Sequence, residues 1–316
     1  MRTTAITTII VFMAGLGPAA SFEGQDLLAP LAKAVTSGPL STDAESDLKE
    51  ESPEAPDPTF EEQIVELVNQ ERWAAGGRPP LKYNAQLETA AEGHSQAMAV
   101  RNFFMHCDPD TSSSHASRIA ATGYAASYSA ENIAAGFSTP SAVMAAWMAS
   151  GGHQGNILST NAREIGVGYY YQSGDQNNVR ENPPSGGCPA TSSNNGPYLR
   201  YWTQNFGKSN SIYPVIINRE AHLTESPVVE LYLYGSFAEM RLRNESNPWS
   251  AWQPFAADTT WQLSPGDGVK TVHAEMRTGG AVTASSDTIH LEDTSGLVFI
   301  DGFESGNASA WSSIQP

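Results

Sequence analysis

The chain of 316 residues carries 34 acidic residues against 17 basic ones, a formal charge of −17. That balance repels nucleic acid and anionic lipid surfaces, and no basic stripe reverses it, so a nucleic-acid role is set aside. The length holds two modest domains, and a piece of roughly 150 residues can bury a core without metals or staples.

Residues 1–21 read as a secretory signal peptide, with Arg2 as the basic start, an apolar core from Ala5 to Leu16 and small residues from Gly17 to Ser21 for cleavage. The core is too short to span a membrane, and no later segment approaches about 18 consecutive apolar residues. The expectation is a secreted or cell-envelope protein with no transmembrane segment in its mature form. Residues 22–58 hold nine acidic residues, two lysines, five prolines and no aromatic after Phe22, the composition of a disordered acidic linker.

Order is expected from Thr59. Thr59 and Glu62 have capping-box spacing, and Phe60, Ile64, Leu67 and Val68 fall on one helical face before Gly76-Gly77 ends the run. Asn84 caps a second helix whose buried stripe includes Leu87, Ala91, His94 and Met98; His94 there reads as a hydrogen-bonded core residue. Phe103-Phe104-Met105 anchors a turn with His106 at its edge. Ser114 to Ala121 is a short helix, and Thr139-Pro140 opens another that carries Trp147 and is expected to stop at Gly151-Gly152, just before His153. Strands follow at 165–171 and 198–206. The polar loop between them, 172–197, fits no EF-hand spacing, so calcium is not expected there.

Beyond Lys208, alternating segments at 228–234, 239–243 and 270–277, with turns at Asn247-Pro248 and Gly266-Asp267-Gly268, predict a β-sandwich over residues 213–293. Trp249, Trp252 and Trp261 are expected in its core or between its sheets. A tail, 294–316, closes the chain. The sequons at Asn244 and Asn307 are expected to be incidental.

Cys107 and Cys188 make an even pair in an exported chain, which favours a disulfide worth about 4 kcal/mol over free thiols or a zinc-bound Cys107 thiolate. The chemistry concentrates between Phe103 and Leu158, where His106, Glu131 and His153 sit at the ends of apolar segments. Two imidazoles and a carboxylate suit zinc with an open position for water, or proton transfer. No H-E-x-x-H or other compact motif supports zinc, and neither Ser95 nor Ser150 lies in a G-x-S-x-G elbow. From the residues alone, a structural hydrogen-bond network is the plainer reading.

The wording of this region adds to that reading. Phe103-Phe104-Met105-His106, Ala130-Glu131-Asn132-Ile133, Trp147 to Leu158 (WMASGGHQGNIL) and Tyr201-Trp202-Thr203-Gln204 resemble, in order, the motifs of the CAP superfamily of cysteine-rich secretory, antigen 5 and pathogenesis-related proteins, in its bacterial SCP-like form. The resemblance covers about residues 59–207. It implies an α+β fold, a three-layer α-β-α sandwich with a central cleft where eukaryotic members place two histidines and two glutamates. His106 and Glu131 match that tetrad. Ser150 stands at the second glutamate's place and Tyr201 at the second histidine's, with His153 one turn beyond Ser150. The segment from Trp249 onward resembles the immunoglobulin-like repeats of bacterial exported proteins. The resulting expectation is a binding protein for a lipid, a cell-envelope glycan or a protein, at a cleft lined by His106, Glu131, Ser150, His153 and Tyr201. The alternative is a metal-assisted hydrolase using His106, Glu131 and His153 with zinc or another divalent cation.

Overall fold

The computed structural model describes residues 57–182, 188 and 191–292. The expected signal peptide, nearly all of the acidic linker, the C-terminal tail and Asn307 lie outside these residues.

Five helices and a four-stranded sheet make the first unit. Helix α1 (Phe60–Ala74) opens on the expected capping box: the Glu62 amide donates to Thr59 Oγ1 at 3.2 Å, and the Thr59 amide to Glu62 at 2.7 Å. Strand β1 (Lys82–Tyr83) leads into α2 (Ala85–Val100), capped by Asn84, and α3 (His115–Ala121) is capped by Ser114. Next come β2 (Tyr128–Ala135), α4 (Pro140–Met148) and α5 (Gly151–Ile157), then β3 (Glu164–Tyr171) and β4 (Arg200–Lys208). The sheet order is β1-β3-β4-β2, so β2 is an edge strand paired antiparallel to β4.

Alternation along the strands sorts the two faces. Ile165, Val167, Trp202, Phe206 and Ala134 pack with α1 and α4 through Ile64, Val68, Val143 and Trp147. The opposite face receives α2, and β3 is shaped for it by two glycines. A Cβ at Gly166 would lie 2.0 Å from the Glu88 amide nitrogen, and one at Gly168 would lie 2.2 Å from that of Glu92. The helix backbone therefore rests almost on the strand. Ser95 reinforces the contact, donating at 2.9 Å to the Gly168 carbonyl. Helices on both faces of one sheet give the expected three layers.

One boundary differs from expectation. Gly151-Gly152 does not end α4, which stops at Met148; the glycines open α5, with Ser150 at its N-cap and His153 inside the helix. Small residues let the chain restart a helix within two residues.

The second unit is all-β. Strands β5 (Val215–Ile217), β6 (Val228–Leu233), β7 (Glu239–Asn244), β8 (Asp258–Gln262), β9 (Gly268–Thr278) and β10 (Ala281–Leu291) form two sheets. One has the order β8-β6-β5; the other runs β7-β9-β10, with two-residue strands at its flanks. Val229, Leu231 and Leu233 of the first sheet share a core with Met240, Leu242, Val272, Met276 and Ile289 of the second, which makes a β-sandwich. Trp261 packs against this core as expected, but Trp249 and Trp252 do not enter it. They lie half-buried beneath guanidinium groups, with Arg241 4.9 and 4.6 Å from the two rings and Arg277 3.9 Å from Trp252. Outward-facing arginines on β7 and β9 supply the stacking partners, so these tryptophans cover a sheet's outer face. Asn244 donates to the Gln262 carbonyl and accepts from Trp261.

The two units meet through buried polar groups. Lys82 is held between Glu220, at 2.8 Å, and Asp287. Glu220 also accepts from the Tyr83 amide at 3.1 Å, and Asp287 from the Ile217 amide at 2.7 Å. Burial and the neighbouring Asp287 push the Glu220 carboxyl well above its ordinary range, against the pull of Lys82. Asn69 donates to both the Leu81 and Arg219 carbonyls, and Tyr234 donates to the Pro80 carbonyl at 2.8 Å. Asn218, Arg219 and Glu220 all have positive φ, a left-handed turn that persists because these bonds fix it from both sides.

Candidate functional site

The site is built on edge strand β2. Glu131 faces the α2 layer with a side chain only 1% exposed, and each carboxylate oxygen has a partner. Oε1 accepts from His106 Nδ1 at 2.9 Å; Oε2 accepts from Arg118 Nη2 at 2.7 Å. Arg118 comes from α3 and also donates to the carbonyls of His106, at 3.0 Å, and Ser113, at 2.9 Å. It thus fixes both the carboxylate and the turn that carries His106. Burial opposes ionisation of Glu131, but the His106 bond and the adjacent positive charge outweigh it and hold the carboxyl down at about 2.

Four of the seven histidines surround this carboxylate or its partner. His94 is fully buried on α2, and burial lowers its imidazole to about 4. Its Nε2 lies 3.0 Å from the Met105 carbonyl, which can only accept, so Nε2 carries the proton and Nδ1 is left buried without a partner. His94 is the expected core histidine, and its Nε2 stands 4.0 Å from Glu131. His115, on the first turn of α3, is lowered by burial and feels both Glu131 and His106. His106 differs from these in being open, with 46% of its side chain exposed. An ionised carboxylate at Nδ1 makes that nitrogen a proton carrier, and Nε2 takes no part in the bond.

The signature from Trp147 to Leu158 serves the edge strand first. Trp147 Nε1 donates to the Ile133 carbonyl at 3.2 Å, and Asn156 donates to the Glu131 carbonyl at 3.2 Å and to Asn132 at 2.9 Å. The Ile133 and Glu131 carbonyls are ones that an edge strand would otherwise leave open. Asn132 in turn donates to the His153 carbonyl at 3.1 Å. His153 therefore comes to β2 from the α5 side. Its ring is lowered by burial and by charge at His106, and its Nδ1 has no partner. Glu131 gives its oxygens to Arg118 and His106 rather than to His153.

Ser150 sits at the start of α5 and makes no side-chain cap bond. Tyr201 is fully buried, and its hydroxyl donates to Asp175 at 3.0 Å. Asp175 also accepts from the Tyr198 and Leu199 amides, so it folds the expected polar loop upon itself. Cys107 and Cys188 form a disulfide with Cα atoms 5.4 Å apart, which ties that loop to the turn bearing His106. Replacing both cysteines by serine is expected to lower stability by about 3–4 kcal/mol, read from the urea midpoint. Insensitivity of the midpoint to reducing agent would contradict this.

Sequence reasoning missed Arg118 and His115. Helical spacing was the available signal: three residues apart, they share one face of α3, next to the capped turn below His106.

Zinc, the metal considered from the residue types, finds a poor fit. Both oxygens of Glu131 are engaged, one by a permanent cation that would repel a dication, while Ser150 and Tyr201 bring neither carboxylate nor imidazole. Among the described residues no group of three or more His, Cys, Asp or Glu is placed to hold a metal ion.

Layers, motifs and the His106–Glu131 pair together define a CAP/SCP domain. Residues 65–206 match the family model described as the cysteine-rich secretory protein family, CAP, and that segment is a CAP domain. Over 110 residues the chain is 41% identical to an uncharacterized protein, YkwD, of Bacillus subtilis (strain 168); the match covers 35% of this chain and 42% of that protein. An extracellular protein containing an SCP domain from Bacillus anthracis str. Ames is 27% identical with TM-score 0.37, over 48% of this chain and 40% of that one. An outer surface protein from Borrelia burgdorferi is 16% identical with TM-score 0.34, over 46% of this chain and 89% of that one. The chain thus spans less than half of the two Bacillus relatives. Among the described residues no helix is long and apolar enough to cross a membrane.

Proposed function

We propose that this is an exported protein whose CAP domain acts by binding a cell-envelope ligand (a glycan, a lipid or a protein) at the surface around His106. The observation that carries this reading is the double engagement of Glu131. A carboxylate held at about 2 and bonded by both His106 and Arg118 is a fixed anchor, unsuited to taking a proton from water near neutral pH. What it anchors is one open imidazole, whose Nε2 accepts a hydrogen bond from a hydroxyl, amide or ammonium group of the ligand. The β-sandwich, which resembles an immunoglobulin-like repeat, positions that face.

The test is co-sedimentation of the full chain with purified cell-wall sacculi and with lipid vesicles, wild type beside His106→Ala. Retention on one of them, reduced roughly tenfold or more in the variant, is expected. Equal retention of both proteins would remove His106 from the binding face.

A second reading rests on the same pair. A histidine oriented by a buried carboxylate has the arrangement of a general base, so the CAP domain would hydrolyse a peptide or ester with His106 activating water. Turnover of a peptide library, abolished in His106→Ala and in Glu131→Gln, would favour hydrolysis over binding.

A further inference from the structure

A concavity lies away from His106, where the two units meet. It is open to solvent and has a volume of about 880 Å³, within the range of small-ligand sites. One wall is the end of α1 and the turn after it, with Trp73 and Arg78; the other is the β6–β8 sheet, with Glu230, Tyr232 and Asp258. Arg219, from the left-handed turn, stands between the units with its guanidinium 3.9 Å from the Trp73 ring and 2.7 Å from Glu230.

Three features bear on what such a cleft would hold. Trp73 is 54% exposed in spite of the stacked guanidinium, an indole the fold leaves open at the mouth of a concavity. Charges on the walls balance, with Arg78 and Arg219 against Glu230 and Asp258, so no net field selects an anion or a cation. The walls are also held at a fixed separation. Asn69, one turn before Trp73 on α1, bonds both Leu81 and Arg219, Lys82 is clasped by Glu220 and Asp287, and Tyr234 bonds Pro80. A preformed cleft costs a ligand little ordering of the protein.

An aromatic platform with guanidinium donors and carboxylate acceptors on facing walls, neutral as a whole, matches a ligand with apolar C–H faces and many hydroxyls. We propose that this junction cleft is a second ligand site, taking a segment of an uncharged oligosaccharide. The sugar's C–H face lies on Trp73, and its hydroxyls donate to Glu230 and Asp258 and accept from Arg78. The proposal does not depend on what binds at His106.

The test is calorimetry on the full chain with soluble neutral tetrasaccharides (of N-acetylglucosamine, of β-1,4-glucose and of α-1,4-glucose), beside a sulfated tetrasaccharide and an unrelated extended peptide. Saturable binding of at least one neutral sugar is expected, with affinity falling roughly tenfold or more in Trp73→Ala and in Asp258→Ala. These substitutions lie on opposite walls at exposed positions, and unchanged melting temperatures certify that each variant is folded. Failure of all three neutral sugars to bind up to about 10 mM, which corresponds to less than about 3 kcal/mol, would overturn the proposal. So would preference for the sulfated sugar or the peptide, or binding indifferent to both substitutions. Sugar binding lost in His106→Ala but kept in Trp73→Ala would place the sugar at the first site and equally overturn it.

Discussion

Replacing Glu131 with alanine is expected to destabilise the CAP domain by about 3–5 kcal/mol, the cost of leaving a buried charge without its partner. Arg118, whose side chain is 13% exposed, would lose its carboxylate, and His106 would lose the bond that orients it. Removing both charges should be milder. Glu131→Gln combined with Arg118→Met is expected to cost less than Glu131→Ala alone, because no unpaired ion remains. The pH dependence carries the same sign. Glu131 is depressed from 4.5 to about 2, so its contribution is fully present above about 4.5 and is lost as the pH falls toward 2. Urea midpoints between pH 7 and pH 2.5 would show a loss in the wild type that is smaller in Glu131→Gln. Parallel curves for the two proteins would refute the assignment.

The other large effect lies at the contact between α2 and β3. Gly166→Ala sets a methyl group 2.0 Å from one backbone atom of α2 and 2.3 Å from another, where no rotamer can relieve it. A cost of about 3 kcal/mol or more is expected, at the upper end of overpacking. Gly168→Ala meets the same helix one turn later, 2.2 Å from the Glu92 nitrogen. One outward shift of α2 relieves both clashes, so the double variant should lose less than the sum of the two. Strict additivity would mean the helix does not move as a body.

Much of this fold was legible because its signals are local. Thr59 with Glu62, Asn84, Ser114 and Thr139-Pro140 set helix starts through bonds spanning three residues or fewer, and all four appear where spacing put them. Branched and aromatic residues marked strands at 165–171 and 198–206, close to β3 and β4. What escaped depended on distant partners. Gly151-Gly152 reads as a helix stop by local rules, but docking of α5 on β2 through Asn156 turns it into a start. Trp249 and Trp252 read as core or inter-sheet aromatics, and only the register of β7 against β9 shows that arginines on the outer face cover them.

The site divides the same way. His106 and Glu131 could be paired by their motifs, whereas Arg118 emerged only when α3 was seen to fold back over the His106 turn. That one cation changes the chemistry available. Without it, Glu131 would be a buried carboxylate in need of a positive partner, and a metal would serve. With it, the need is met from within the chain.

Whether Glu131 takes Arg118 or a metal as its partner is tested by a zinc titration of the full chain followed by the ring-nitrogen NMR signals of His106. The expected result is an Nδ1 that carries its proton in the bond to Glu131, with ring shifts that micromolar zinc does not move. Stoichiometric zinc binding at micromolar affinity that moves the His106 nitrogens and is lost in both His106→Ala and Glu131→Ala would contradict it, showing that a metal displaces Arg118 as the partner of Glu131.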